Sequence, residues 1–193
     1  MFENQKKGRL IIFSAPSGAG KTTLVRHTMS NIEHLTFSVS ACSRKKRPNE
    51  TDGKDYHFIS VEEFKEKIEN DEFIEWEEVY PDHFYGTLYA EVDKKRNKGM
   101  HVVFDVDVVG GLNIKKIFGK DALAIFIKPP SVEILKERLS DRGTDNIDDI
   151  ETRIKKAKFE LGFEKEFDVS IINDDLSKAQ EETVRVINNF LSD

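Results

Sequence analysis

The 193-residue chain has one cysteine, one tryptophan, five prolines and no excess of basic over acidic side chains. A single cysteine, Cys42, excludes an intrachain disulfide and any zinc site built on several thiolates. Lysine and arginine total 30 against 36 aspartates and glutamates, a net charge of -6. That balance argues against a nucleic-acid polymer as partner, although a local basic patch can still serve a small anion. No apolar run approaches the length of a membrane span, and the opening MFENQKKGRL lacks the apolar stretch of a signal peptide. The expectation is a cytoplasmic protein without membrane contact, with monomer and homo-oligomer both left open. The five histidines do not fall at metal-ligand spacing, and there is no internal repeat or low-complexity segment.

Charged residues make up 34% of the chain and hydrophobic ones 38%, enough apolar material for one core at this length. Residues 10–13 form a short, wholly apolar run that suits a strand buried on both faces. A small, glycine-containing stretch follows, and residues 21–31 then read as a helix. An alternating strand is expected at 36–40, a short strand at 56–59, and a helix from a Ser60–Glu63 capping box to about Asn70. Residues 73–79 and 84–88 are expected to pair around Pro81-Asp82, with Trp76 packing inside that region. Apolar, β-branched runs at 100–106 and 122–127 are each followed by a helical stretch. Ser131 caps a helix to about Ser140, a charged helix covers 147–164, and 169–173 and 177–191 complete a last strand and helix. Strands alternating with helices predict an α/β fold with a parallel sheet flanked by helices, interrupted by an inserted small αβ lobe.

The first strand ends in Ser14-Ala15-Pro16-Ser17-Gly18-Ala19-Gly20-Lys21-Thr22-Thr23 and opens a helix. This string resembles a P-loop, in which backbone N–H groups and a helix N-terminus cradle phosphates. Lys21 would reach the β- and γ-phosphates and the Thr22 hydroxyl would ligate Mg²⁺. Ala15 stands where the strict pattern has glycine, which a residue of negative φ can do if the later glycines make the tight curve. No Asn-Lys-x-Asp string marks a GTPase, and the chain is short for a motor or helicase core.

A small kinase needs a second substrate site and cations around the transferring phosphoryl group. Arg44-Lys45-Lys46-Arg47 supplies four cations after a strand, either as a solvated face or as a clamp for a phosphate monoester. Arg138 and Arg142 share a helix face and Arg153 lies on the next helix; they either pair with nearby acids or reach the phosphates. Asp105 and Asp107 alternate at the C-terminal end of a strand, where α/β sheets bind ligands; one reading is Mg²⁺ or base contact, the other a helix cap.

In order along the chain, Phe37-Ser38-Val39-Ser40, Arg44, Arg47, Gly53-Lys54-Asp55-Tyr56, Phe73-Ile74-Glu75-Trp76, Tyr85-Gly86-Thr87 and Asp105-Val106-Asp107 match one family pattern. Pro129-Pro130-Ser131, Arg138-Leu139, Arg142-Gly143-Thr144, Arg153 and Asn173-Asp174-Asp175-Leu176 continue it. Over essentially its whole length the chain resembles the guanylate kinases. The resemblance implies a P-loop NTPase core (residues 1–37, 91–130 and 155–193), a GMP-binding lobe (38–90) and a helical lid (131–154). It implies ATP-dependent phosphorylation of GMP, and of 2′-deoxy-GMP, with Mg²⁺ as cofactor. Ser17, Gly18, Ala19, Gly20, Lys21, Thr22 and Thr23 would hold ATP, with Asn173 near the adenine. Arg44, Arg47, Tyr56 and Tyr85 would bind the GMP phosphate, while Ser40, Glu75, Thr87 and Asp107 would read guanine. Asp105 would sit near the metal, and Lys21, Arg44, Arg142 and Arg153, with Arg138, would surround the phosphoryl group.

The chain departs from the pattern at Ala15, at Cys42-Ser43 in place of paired threonines, and at Pro48, which follows rather than precedes the second arginine. Val109 replaces a common glutamine, and the turn at 80–84 is one residue longer. Two rivals follow from the same residues. One is a kinase-like domain that binds phosphopeptides without catalysis, and the other a kinase for AMP, dTMP or dCMP. Lys21, Thr22 and the lid arginines argue against the first, and Glu75 with Ser40 and Thr87 against the second.

Overall fold

The computed structural model describes residues 6–140 and 147–193. The elements, in chain order, are β1 (Leu10–Ser14), α1 (Lys21–Asn31), β2 (Leu35–Phe37), β3 (Ala41–Cys42), β4 (His57–Phe58), α2 (Val61–Glu69), β5 (Phe73–Tyr80) and β6 (His83–Leu88). They continue with α3 (Tyr89–Arg96), β7 (His101–Asp105), α4 (Val108–Phe118), β8 (Ala122–Lys128), α5 (Val132–Ser140), α6 (Ile147–Leu161), β9 (Val169–Ile172) and α7 (Leu176–Ser192). Two compact units result, one of Met1–Arg9 with Thr36–Val103, the other of Leu10–Leu35 with Phe104–Asp193.

The larger unit is built on β1, whose residues Leu10, Ile11, Ile12 and Phe13 are all 0% exposed. Each such side chain contributes roughly 1.5–3 kcal/mol by leaving water. β1 pairs in parallel with β8, and β8 with β9, within a five-stranded sheet of order β2-β7-β1-β8-β9. Helix α4 packs on β1 and β8, while α1 packs on α7. This is the α/β architecture with a parallel sheet flanked by helices that the strand–helix alternation predicts. It sets the C-terminal ends of β1 and β7 side by side, where Val106 donates its N–H to the carbonyl of Phe13. Among the described residues no helix is long and apolar enough to cross a membrane.

The smaller unit contains a four-stranded sheet of order β4-β3-β6-β5, with α2 against β6. Ser60 caps α2 by accepting from the N–H of Glu63. Phe64 of α2 is fully buried, stacked on Phe73 with ring centroids 4.3 Å apart and on Phe84 at 5.3 Å. The β5–β6 hairpin turns at Pro81-Asp82, with Asp82 at a φ of 61°.

Two expectations are corrected, and one helix, α3, is not among the expected elements. The alternating run at 36–40 is strand only as far as Phe37, where β2 stops. The Ser38 N–H donates to the Val103 carbonyl, residues 38–40 are irregular, and the chain enters the second sheet at β3, just beyond the run. Side-chain alternation runs on past Phe37 to Ser40, so the pattern alone conceals the end of β2. Helix α3 carries no apolar stripe to betray it, since Val92 is its only buried apolar residue. Its Arg96 is 5% exposed and donates to the Gly8 carbonyl, while the Gly8 N–H donates to Arg96, which ties residues 6–9 to the smaller unit. Trp76 is 46% exposed rather than packed inside, because it lies on β5, the edge strand.

Phe64 is fully buried between Phe73 and Phe84, so Phe64→Ala should cost about 3–5 kcal/mol. Urea denaturation should show that loss as a lowered midpoint for the small unit.

Candidate functional site

The loop after β1 makes its curve at two glycines. Gly18 has φ 92° and Gly20 φ 91°, and Ala15 is not among the residues of positive φ. The replacement of the first glycine by alanine therefore costs the loop nothing in backbone strain. Gly20 is also closed in by a neighbour: a Cβ there would lie 2.2 Å from Nδ2 of Asn173. Gly20 is the N-cap of α1; no side chain caps it and the first turn has no acidic residue. The N–H groups that helix geometry leaves without intrahelical partners thus keep their capacity for an anion, reinforced by the helix dipole.

Around this loop is a cavity of about 410 Å³ lined by Ser17, Lys21, Thr22, Asp105, Asp107, Arg153, Lys156 and Glu160, among others. Lys21 forms an ion pair with Asp105 and donates 3.0 Å to the carbonyl of Val106. Asp105 ends β7. Asp107, expected beside it on the strand, instead lies past the strand end, and its Oδ1 accepts from Gly110 as the N-cap of α4. Its side chain is committed to the helix.

Asn173 is bonded to the phosphate loop. It is 5% exposed, and Nδ2 donates 2.8 Å to the carbonyl of Ala19 inside the phosphate loop. Its own carbonyl accepts from Arg138 at 2.9 Å. Asn173 therefore braces the loop from below, and Arg138 holds the brace. Leu135 and Leu139 of α5 close on Gly18, whose added Cβ would lie 3.0 Å from Leu135. Arg142 lies outside the described residues.

The smaller unit assembles a second group of site residues. Arg44 donates Nε to the Tyr85 hydroxyl at 3.1 Å, and its guanidinium carbon lies 5.1 Å from the Tyr56 ring centre and 5.5 Å from that of Phe58. Tyr56 and Tyr85 meet edge to face at 5.8 Å. Burial raises the Tyr56 hydroxyl above its ordinary pKa. Arg47 is exposed beside this group, and Ser40 is half-buried just before β3. On β5 and β6, Glu75 and Thr87 are register partners, and the fully buried Thr87 hydroxyl donates to Glu75 Oε1 at 2.7 Å. Thr87 thus fixes the carboxylate of Glu75.

Glu50 belongs to this cluster although the sequence reading passed over it. Its carboxylate takes both terminal nitrogens of Arg44, at 2.7 and 2.5 Å, and also the N–H of Arg47 at 2.8 Å. The available signal was an acid three residues after the second arginine, the spacing at which a side chain can accept from the turn. Ser43, at one of the departures from the family pattern, bonds the hairpin tip: its hydroxyl donates to Asp82 and accepts from Phe84. Cys42 is fully buried, and burial pushes its thiol pKa up.

The side-chain hydrogen bonds from Arg44, with the Arg47 N–H, lower the Glu50 carboxyl to about 2. A depressed carboxylate contributes stability above its unfolded pKa and loses it as pH falls through the folded value. A carboxyl-carbon NMR titration should therefore find Glu50 still ionised at pH 3, and Arg44→Ala should return its midpoint to the ordinary carboxylate range.

Comparison with known proteins bears on both groups of residues. The family model described as "Guanylate kinase" matches residues 7–190. A guanylate kinase of Bacteroides thetaiotaomicron is 53% identical over 188 residues, spanning 97% of this chain and 92% of that one. One from Porphyromonas gingivalis is 48% identical and spans 95% of this chain and 98% of its own. The crystal structure of guanylate kinase from Anaplasma phagocytophilum superposes with a TM-score of 0.71 at 27% identity, covering 97% of this chain and 88% of that chain. With its phosphate loop complete and the match running nearly end to end, the chain belongs to the guanylate kinase family.

Proposed function

We propose that the protein transfers the γ-phosphoryl group of ATP to GMP, giving ADP and GDP. The observation that carries this reading is the company the phosphate loop keeps. Lys21 and Thr22 stand at an uncapped helix N-terminus in one unit, while the other holds an arginine–tyrosine cluster and a buried threonine–glutamate pair. A phosphopeptide-binding domain would need the arginine–tyrosine cluster and not the phosphate loop, and the relatives above are named as kinases.

ATP would lie on the loop at 17–23, its phosphates taking the N–H groups there that have no internal partner and the ammonium of Lys21. Lys21 is held at Asp105 and Val106 in the structure, so its charge is stationed at the loop before nucleotide binds. The oxygen donors at the cavity suit Mg²⁺, which prefers oxygen ligands and is bound by few carboxylates plus substrate phosphates. Thr22 would ligate it and Asp105 would lie near it. Mg²⁺, when bound, would neutralise charge on the transferring phosphates. Among the described residues no three histidine, cysteine, aspartate or glutamate side chains group to hold a metal by themselves.

GMP would place its phosphate on Arg44, Arg47, Tyr56 and Tyr85. Both cations suit phosphate, and Arg44 is pre-oriented by Glu50 and Tyr85. Glu75, held by Thr87, would accept from guanine N1–H and N2–H₂, which adenine does not present in that arrangement. Ser40 would donate to O6, and 2′-deoxy-GMP would fit because no 2′-hydroxyl contact is invoked. No strong base is required, since the acceptor phosphate is already a nucleophile at neutral pH. Catalysis is then positioning plus electrostatics, with Lys21, Arg44, Arg142 and Arg153 stabilising the charge of the transition state. Arg138 and Asn173 would serve by keeping the loop in shape. The lid at 131–154 and the lobe at 38–90 would close on the substrates to exclude water. We infer that the enzyme works in the cytoplasm, where both nucleotides are found.

ADP formation from Mg-ATP, with GMP, dGMP, AMP, dTMP, CMP and UMP offered separately, tests the reading. Turnover with GMP and dGMP alone is expected, and turnover with AMP instead would overturn it. Lys21→Ala and Arg44→Ala should each lower kcat by about a hundredfold or more, and Arg44→Ala should also melt somewhat lower because Glu50 loses its partner. Glu75→Gln should chiefly reduce the preference for GMP over AMP in kcat/KM, and Thr87→Val should do the same to a smaller degree.

A further inference from the structure

Glu160 is a charged group of the phosphate cavity to which the reading above gives no task. It stands on α6, four residues after Lys156 and seven after Arg153, so the three share one helix face, and all three line the cavity. Glu160 is only 5% exposed, yet among the described residues its carboxylate accepts no hydrogen bond and joins no ion pair. The cavity's other two carboxylates are occupied: Asp105 by Lys21, and Asp107 by the N–H of Gly110. Burial raises the Glu160 carboxyl above its ordinary pKa, offset by the charge of Lys156, raised further by Asp107 and offset again by Lys21.

A carboxylate drawn largely out of water, with no donor from the protein and only the cavity's water to solvate it, is held at some cost, and one that faces a polyphosphate site also repels the ligand. The arrangement makes sense if a donor arrives together with the anion. Hydrated Mg²⁺ is such a donor, because the ion keeps several waters when it binds phosphates, and its field makes their protons strong donors.

We propose that Glu160 is a positioning residue for the hydrated metal of Mg-ATP, accepting a hydrogen bond from a metal-bound water. The proposal rests on the reading that this cavity binds Mg-ATP. Glu160 then discriminates between metal-loaded and metal-free nucleotide, attracting the first through a water and repelling the second. Its cost to the free protein is recovered only when the metal is present.

Titration calorimetry of ATP, once with excess Mg²⁺ and once with a chelator, reads this directly in the wild-type protein, Glu160→Gln and Glu160→Asp. The wild type should prefer Mg-ATP, and Glu160→Gln should lose about tenfold or more of that preference, the size of effect typical of outer-shell partners of metals. Much of the loss should come from tighter binding of metal-free ATP, which a merely structural role would not produce. Bound Mn²⁺ in the presence of ATP, followed by electron paramagnetic resonance, should weaken in parallel. Glu160→Gln should melt no lower than the wild type, because the substitution removes an unpaired buried charge. An unchanged ratio of Mg-ATP to ATP affinity in Glu160→Gln overturns the proposal. Should that variant not fold, the same ratio in Glu160→Asp decides. A wild type that binds ATP in neither condition overturns the functional reading itself, and the proposal with it.

Discussion

The organisation of this protein depends on a helix that begins without a protein cap. Gly18 and Gly20 adopt positive φ, the chain turns directly from β1 into α1, and N–H groups at the very start of the helix, ahead of Thr23, are left for an anion. Exposed donors and a helix dipole favour a loop that collapses onto the nearest acceptor, so the loop has to be held open from outside. Asn173 supplies that support from the end of β9 through the Ala19 carbonyl, and Arg138 supports Asn173 in turn. The leucines of α5 fill the space beside Gly18. Several elements distant in sequence thus serve one short loop, and the parallel sheet is the frame that brings them to it.

A second constraint is charge. The protein is acidic overall, and in each of its site groups one cation is stationed against a carboxylate. Lys21 is paired with Asp105, and Arg44 with Glu50, which also takes the N–H of Arg47. Such pairing fixes the direction of a long side chain and so reduces the ordering that a phosphate must impose on binding. Thr87 plays the corresponding part for Glu75 with a neutral donor. Glu160 departs from this rule, being a buried carboxylate of the cavity with no such partner among the described residues.

Much of the architecture was legible from the chain because its signals are local. The apolar runs of β1 and β8, the capping Ser60 and Ser131, and the Pro81-Asp82 turn each depend on a few adjacent residues. The phosphate loop was legible for the same reason, since its spacing is its geometry. Helix α3 leaves little trace in the sequence because it buries Val92 and Arg96 and little else, and the end of β2 at Phe37 is hidden because side-chain alternation runs on past it to Ser40. The partners of the site residues were beyond the sequence. Asn173 is bonded to the phosphate loop, and of the two readings that the sequence leaves open for Asp107 the structure takes the helix cap.

What the sequence determined by itself was the identity of the chemistry. The residue types that can hold phosphate, metal and guanine, and the family whose order they follow, are properties of the chain read along its length. Only the tertiary structure decided which of them are occupied with one another. Asn173 and Ala19 are 154 positions apart and Lys21 and Val106 are 85 apart, and no local pattern specifies such pairs. They are chosen when the parallel strands align and their ends converge, because a buried polar group must then satisfy itself with whatever the fold has brought beside it.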